Sequence, residues 1–241
     1  MCGIVGYVGP QAALEVVVEG LRRLEYRGYD SAGVAIVADG PVPGKGGRPP
    51  LNPPQKQLAV AKKAGKLGNL EKLLAEHPLP PNGLGIGHTR WATHGAPNDV
   101  NAHPHLSSDG RIALVHNGIV ENYVALRAEL RDAGITSVSE TDTEIVAHLL
   151  GQQTAAGVPL VEAMRTVCGR LRGAFTLVAV DRDNPEVVVA ARRNSPLVVG
   201  VGEGENFVAS DVAAFIEHTR EAIELGQDQV CLLYTSPSPR D

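Results

Sequence analysis

Residues 174–209 read AFTLVAVD-RDNP-EVVVAA-RRNSP-LVVGV-GEGE-NFVA. Four apolar, β-branched runs (174–181, 186–191, 197–201 and 206–209) are separated by short stretches rich in Gly, Pro, Asn and Asp. Connections that short hold no helix, so neighbouring strands must run antiparallel. Beyond Ala209, Ser210 is expected to cap a short helix reaching about His218. On the other side a helix is expected over 160–171. Before it, Thr141-Asp142-Thr143-Glu144 fits a capping box, followed by Ile145, Val146, Leu149 and Leu150 on one helical face. Another helix is expected over 122–133, with Gly134 as its stop. Strands are expected at 2–8, 31–38, 84–88 and 112–116, and helices at 11–24 and 70–75. In the first of these helices Leu14, Val17, Val18, Leu21 and Leu24 recur at three- and four-residue steps. Strands outnumber helices and follow one another directly. The class is therefore α+β, with antiparallel sheets and helices layered outside them, not a doubly wound parallel sheet.

The chain has 241 residues, 43% hydrophobic and 20% charged, enough for one large domain or two small ones of ordinary globular composition, and no clear boundary divides it. A net charge of -5 without a Lys/Arg run argues against nucleic acid as a partner. No apolar run approaches the ~18 residues of a membrane span, and the first residues lack the basic and apolar stretches of a secretory signal. Cys2, Cys168 and Cys231 form no CxxC pair and no disulfide framework, so a cytoplasmic location is expected. Two stretches differ in composition. Residues 39–57 contain PVPGKGGRPPLNPPQ, too dense in Pro and Gly for helix or strand, and are expected to form a surface loop. Residues 231–241, CLLYTSPSPRD, resemble the translation of a sequencing-library adapter. The domain is therefore expected to cover 2–230, with a non-native tail outside the fold.

Four short motifs carry chemistry. Once Met1 is removed, Cys2 has a thiol and a free α-amine on one residue, with ordinary pKa values of about 8.5 and 7.7–8.0. The amine can then take the thiol proton, and no separate base is required. Seen alone, Cys2 reads equally as a small residue of the first strand. The cluster His88-Thr89-Arg90-Trp91-Ala92-Thr93-His94-Gly95 ends a strand. Its Arg90 offers a planar fork for a carboxylate. Trp91, the single tryptophan, reads as core or as a rigid lid. His116-Asn117-Gly118 offers a side-chain amide donor and a closely approachable backbone N–H, the two donors of an oxyanion hole. Seen alone, Asn-Gly is a turn signal. In Ser139-Glu140-Thr141-Asp142-Thr143-Glu144, Asp142 falls at a helix start, where a carboxylate is stabilised with or without a ligand. His88, His94, His103, His105 and His116 invite a metal reading, but their spacing is irregular and no HExxH helix is present.

Together and in this order, Cys2 to Gly6, Leu24 to Gly33 (LEYRGYDSAG), His88 to Gly95, His103-Pro104-His105, His116 to Asn122 and Ser139 to Glu144 resemble the glutamine–fructose-6-phosphate aminotransferases. The resemblance covers 2–230 and is specific to their N-terminal class II glutamine amidotransferase domain. It implies the N-terminal nucleophile hydrolase fold, a four-layer αββα sandwich. It implies that Cys2 attacks the glutamine side-chain amide and that Asn117 and Gly118 hold the oxyanion. Arg90, helped by Thr93, would bind the α-carboxylate and Asp142 the α-ammonium. Trp91 and His94 would line the pocket, with the segment from Arg27 to Asp30 beside it. L-glutamine is the implied substrate, with no metal or organic cofactor. The family's sugar-isomerase domains, which bind fructose 6-phosphate and take the ammonia, have no counterpart in these residues. A homodimer is implied for the full-length protein. The alternatives are a purine-type amidotransferase domain and a non-catalytic domain of the same fold.

Overall fold

The structure, a computed structural model, describes residues 2–38 and 56–235. The Pro/Gly-rich stretch up to 55 and the tail from 236 lie outside the described residues. In chain order the elements are β1 (Gly3–Val8), α1 (Ala13–Arg23), β2 (Ser31–Ala38), β3 (Gln57–Ala64), α2 (Leu67–Glu76), β4 (Leu84–Arg90), β5 (His105–Leu106), β6 (Ile112–Val120), α3 (Tyr123–Asp132), α4 (Asp142–Ala155), α5 (Leu160–Arg170), β7 (Gly173–Asp181), β8 (Asn184–Arg193), β9 (Val198–Val201), β10 (Asn206–Ala209), β11 (Ala222–Glu224) and β12 (Val230–Tyr234). They build a seven-stranded sheet, β11-β9-β10-β1-β4-β2-β3, and a five-stranded sheet, β12-β8-β7-β6-β5. Every strand pairing is antiparallel.

Side-chain alternation along the strands sorts the apolar residues into three layers. In β1, Val5 and Tyr7 turn toward α1 and α2, and in β2 so do Val34 and Ile36. Ile4, Val8, Ala35 and Val37 turn the other way and meet Ala113, Val115, Val178 and Val180 of the second sheet. The opposite face of that sheet, with Leu114, Leu177 and Val189, packs on α4 and α5 through Ile145, Leu149, Met164 and Val167. The result is α, β, β, α. Each Val, Leu, Ile or Met side chain among them contributes about 1.5–3 kcal/mol when fully buried, so the interlocked layers hold the sandwich.

The structure departs from the sequence reading in several places. β3, β5, β11 and β12 are unanticipated. β3 (QLAVAKKA) is rich in Ala and Lys, residues with little strand signal of their own. β4 runs on to Arg90, and β6 runs through Asn117-Gly118 to Val120, so this Asn-Gly lies within a strand. Ser210 caps no helix. Its Oγ accepts from the Ile4 N–H at 3.0 Å, while Asp211 caps a single 3-10 turn by accepting from Ala213 N–H at 2.9 Å. The domain edge expected at Val230 also moves. Cys231–Tyr234 continue β12 along β8, and Leu233 is buried because its alternating position faces the space between the sheets.

Candidate active site

One end of the inter-sheet space opens into a cavity of about 490 Å³. All nine residues singled out from the sequence line it: Cys2, Arg27, Arg90, Trp91, Thr93, His94, Asn117, Gly118 and Asp142. Strand parity accounts for part of this convergence. Leu84 and Ile86 face the second sheet, so His88 and Arg90 do too. On the facing strand Ala113 and Val115 set the same direction for Asn117. Ile4 does so for Cys2, just before β1, and Ile4 is paired with His88. Even-spaced positions on three strands therefore deliver the polar groups where the apolar layer ends.

Cys2 Sγ accepts a hydrogen bond from the Trp91 N–H at 3.1 Å. Burial pushes the Cys2 thiol above its ordinary value, opposed by that N–H and by the positive charge of Arg90. A thiol so placed keeps its proton at neutral pH, and any nucleophilic use of it would require a base. The Asn117 side-chain NH2 donates to the Cys2 carbonyl at 3.0 Å, and the Asn117 Oδ1 lies 2.9 Å from His88 Nε2. Gly118 holds φ +124° in β6. A Cβ there would collide with the Ala174 carbonyl and lie 2.9 Å from Phe175 Cα, so glycine is required for the close strand approach.

Asp142, the first residue of α4, accepts from the Val120 N–H at 2.8 Å. His116 Nδ1 stands 4.0 Å away, but burial holds that ring's pKa below its ordinary value, which keeps it neutral. Arg90 hydrogen bonds to the carbonyls of His94, Gly95 and Ala96, and so folds the loop that carries Thr93 and His94. Burial lowers its pKa from the ordinary arginine value, against the pull of Asp30 and Asp142. Trp91 is 55% exposed, which settles core against lid: it stands at the rim, beside Gly28. His94 lies edge-on to Tyr123, with ring centroids 5.1 Å apart. Arg27 pairs with Asp211 at 2.7 Å and bonds the Ser210 carbonyl.

Four of the five histidines are internal. Burial lowers the pKa of His88 and His105 to about 3 and that of His103 well below its usual range. His103 Nε2 and His116 Nδ1 both bond Thr143 Oγ1, at 2.8 and 2.9 Å, and His105 Nε2 bonds Thr141 Oγ1 at 3.0 Å. They brace the first turn of α4 from behind. Among the described residues no three His, Cys, Asp or Glu side chains are placed to hold a metal ion. The capping box is formed by halves: Thr141 Oγ1 accepts from Glu144 N–H at 3.3 Å, but the Glu144 carboxylate turns to the N–H groups of Val138 and Ser139.

Sequence reasoning did not single out Asn194, Ser195 and Pro196, which enter the cavity from the turn after β8. It named Asp30 only as part of a segment. Asp30 accepts from the Ala92 N–H at 2.6 Å and donates its own N–H to the Arg90 carbonyl, fixing the backbone that presents Trp91 N–H to the sulfur. No local signal marks these residues, because each acts only across the fold.

The profile of a family described as a glutamine amidotransferase domain matches residues 88–217, more than half of the chain. The glutamine–fructose-6-phosphate aminotransferase (isomerizing) of Streptomyces coelicolor is 67% identical over 230 residues, covering 95% of this chain and 35% of that protein. The enzyme of the same name from Leifsonia xyli subsp. xyli is 58% identical over the same shares. The chain spans about a third of the length of the curated relatives it matches. Among solved structures, the glutamine phosphoribosylpyrophosphate amidotransferase of B. subtilis superposes with a TM-score of 0.76 at 22% identity, over 97% of this chain and 47% of that one. A structure described as the allosteric regulatory enzyme of purine biosynthesis gives 0.78 at 23% identity, with the same coverage. At such identities the likeness speaks for the fold alone. The fold is the four-layer sandwich of the N-terminal nucleophile hydrolases.

Proposed function

Since this chain belongs to the glutamine amidotransferase domain family, we propose that it hydrolyses the side-chain amide of L-glutamine to glutamate and ammonia through a thioester on Cys2. The convergence of Cys2, Asn117, Gly118, Arg90 and Asp142 on one cavity, from positions far apart in the chain, carries this reading. With Met1 removed, the Cys2 α-amine takes the proton that burial keeps on the thiol, and the sulfur attacks the amide carbonyl. The developing oxyanion is met by the second N–H of the Asn117 amide and the Gly118 backbone N–H. Each such donor is worth about 2.7–4 kcal/mol in the transition state. The α-ammonium returns its proton to the leaving nitrogen, the C–N bond breaks and ammonia departs. Water then adds to the thioester, with the same amine as base, and releases glutamate and the free thiol. Arg90 receives the substrate α-carboxylate beside the Thr93 hydroxyl, and Asp142 receives the α-ammonium. Trp91 and His94 close the sides, and Arg27 buttresses the rim through Asp211.

In the full-length protein this ammonia serves glucosamine 6-phosphate synthesis from fructose 6-phosphate, on sugar-isomerase domains outside these residues, in a cytoplasmic homodimer. The identity to the aminotransferases, far above that to the purine-type structures, favours this acceptor. No helix among the described residues is long and apolar enough to cross a membrane. The test compares two preparations by intact mass and glutaminase rate. In one Met1 is removed. In the other an N-terminal tag holds it in place and turns the α-amine into an amide. The tagged form should be slower by about 10²-fold or more, the usual worth of a general base. Equal rates would refute the mechanism.

A further inference from the structure

The Asn117 amide is useful only one way round. Its NH2 donates to the Cys2 carbonyl at 3.0 Å, which turns Oδ1 back into the protein, 2.9 Å from His88 Nε2. An amide oxygen only accepts, so His88 must donate from Nε2. The ring suits that role. His88 is fully buried, and burial holds it neutral, with one proton to allot between two nitrogens. Its Nδ1 has no hydrogen-bond partner. A proton placed there instead would leave Nε2 unable to donate, setting two acceptors face to face at 2.9 Å. The ring is pinned from behind by His103, with centroids 4.2 Å apart, and His103 is tied through Thr143 to the first turn of α4. We propose that His88 is a positioning residue for the oxyanion hole: its Nε2–H bond to Asn117 Oδ1 fixes the orientation in which the amide presents N–H rather than oxygen to the attacked carbonyl. The proposal rests on the glutaminase reading and adds to it a residue that touches neither substrate nor sulfur.

Glutaminase kinetics of the Met1-processed chain test it. His88→Gln puts an amide nitrogen about where Nε2 stands, and His88→Asn puts one near Nδ1, out of reach of Asn117. His88→Leu removes the donor altogether. The expected result is a kcat about tenfold lower for His88→Leu, KM for glutamine within about twofold, and His88→Gln close to the unaltered chain. Where Asn117→Ala is already present, His88→Leu should add no further loss, because the group it orients is gone. A loss of the same size in both backgrounds would overturn the proposal, as would equal kcat for all three His88 variants. If His88→Leu fails to fold, the comparison passes to His88→Gln against His88→Asn, and equal kcat for those two overturns it. Absence of glutaminase activity in the unaltered chain would instead strike the proposed function itself.

Discussion

Gly118→Ala probes the site where fold and chemistry meet most closely. At φ +124° an L side chain is strained by about 1–3 kcal/mol. Its Cβ would collide with backbone of β7, 2.9 Å from Phe175 Cα and closer still to the Ala174 carbonyl, with no flexible side chain to give way. β7 is the central strand of its sheet and is held by β8 on its other side, so β6 must move instead. Strain and displacement together are worth about 2–4 kcal/mol. For a domain of this size that lowers Tm by about 4–16 °C. On the proposed mechanism a shift of β6 by about 1 Å also takes the Gly118 N–H out of line with the oxyanion, so kcat should fall roughly 10²-fold, while KM, assigned there to Arg90 and Asp142, changes little. Gly110→Ala is the control. Gly110 also has a positive φ, +66°, but apart from its own chain neighbours nothing among the described residues lies within 4 Å of the added Cβ. It should lose about 1–2 kcal/mol of stability and no activity. Melting curves and glutaminase kinetics on the three proteins decide. If Gly118→Ala melts and turns over like Gly110→Ala, the close strand approach is not what requires glycine, and the assignment of its N–H to the oxyanion hole falls with it.

Arg90→Lys should raise KM for glutamine at least about tenfold, because a point charge replaces neither the carboxylate fork nor the bonds to the carbonyls of His94, Gly95 and Ala96; unchanged KM would remove Arg90 from the site. We propose that the tail is foreign in sequence, yet β12 pairs with β8, Leu233 is 4% exposed and Tyr234 O accepts from Asn206. Deleting residues 231–241 should therefore lower Tm by about 5 °C or more, while deleting 236–241 should not; an unchanged Tm in the longer deletion would mean the strand contributes nothing. The buried histidines predict acid sensitivity. His88 and His105 titrate at about 3 when folded and at about 6.5 when unfolded, so the unfolded chain takes up protons first. Stability is full above about pH 6.5 and is lost as pH falls toward 3, the two together costing on the order of 3 kcal/mol between about pH 7.5 and pH 5.5. A urea midpoint that does not move over that range would count against their neutral burial.

The sequence alone determined what depends on near neighbours. Apolar, β-branched runs and connections of four or five residues in 174–209 made the sheets antiparallel, since strand direction follows from the length of chain available to turn. Helix faces, the Thr141 cap and the chemistry of each motif were equally local. The motifs taken in order resembled the glutamine–fructose-6-phosphate aminotransferases, and that resemblance implied a thiol, an oxyanion hole and two ends of an amino acid. Only the tertiary structure decided how ambiguous residues resolved. Asn117-Gly118 is as good a turn as a strand until β7 pairs alongside it. Trp91 suits core or rim until Cys2 and Gly28 lie next to it. Asp30 and Asn194 have no signal of their own, and the bond that His88 makes is not visible in its cluster, because their partners are Ala92, the cavity itself and Asn117. Tail residues Cys231–Tyr234 look foreign in composition, yet they take up the open edge of β8, because an unpaired strand edge hydrogen-bonds to any backbone of matching length. Backbone pairing and burial act between residues scores of positions apart, and a string of residue types carries no record of those distances until the chain has closed on itself.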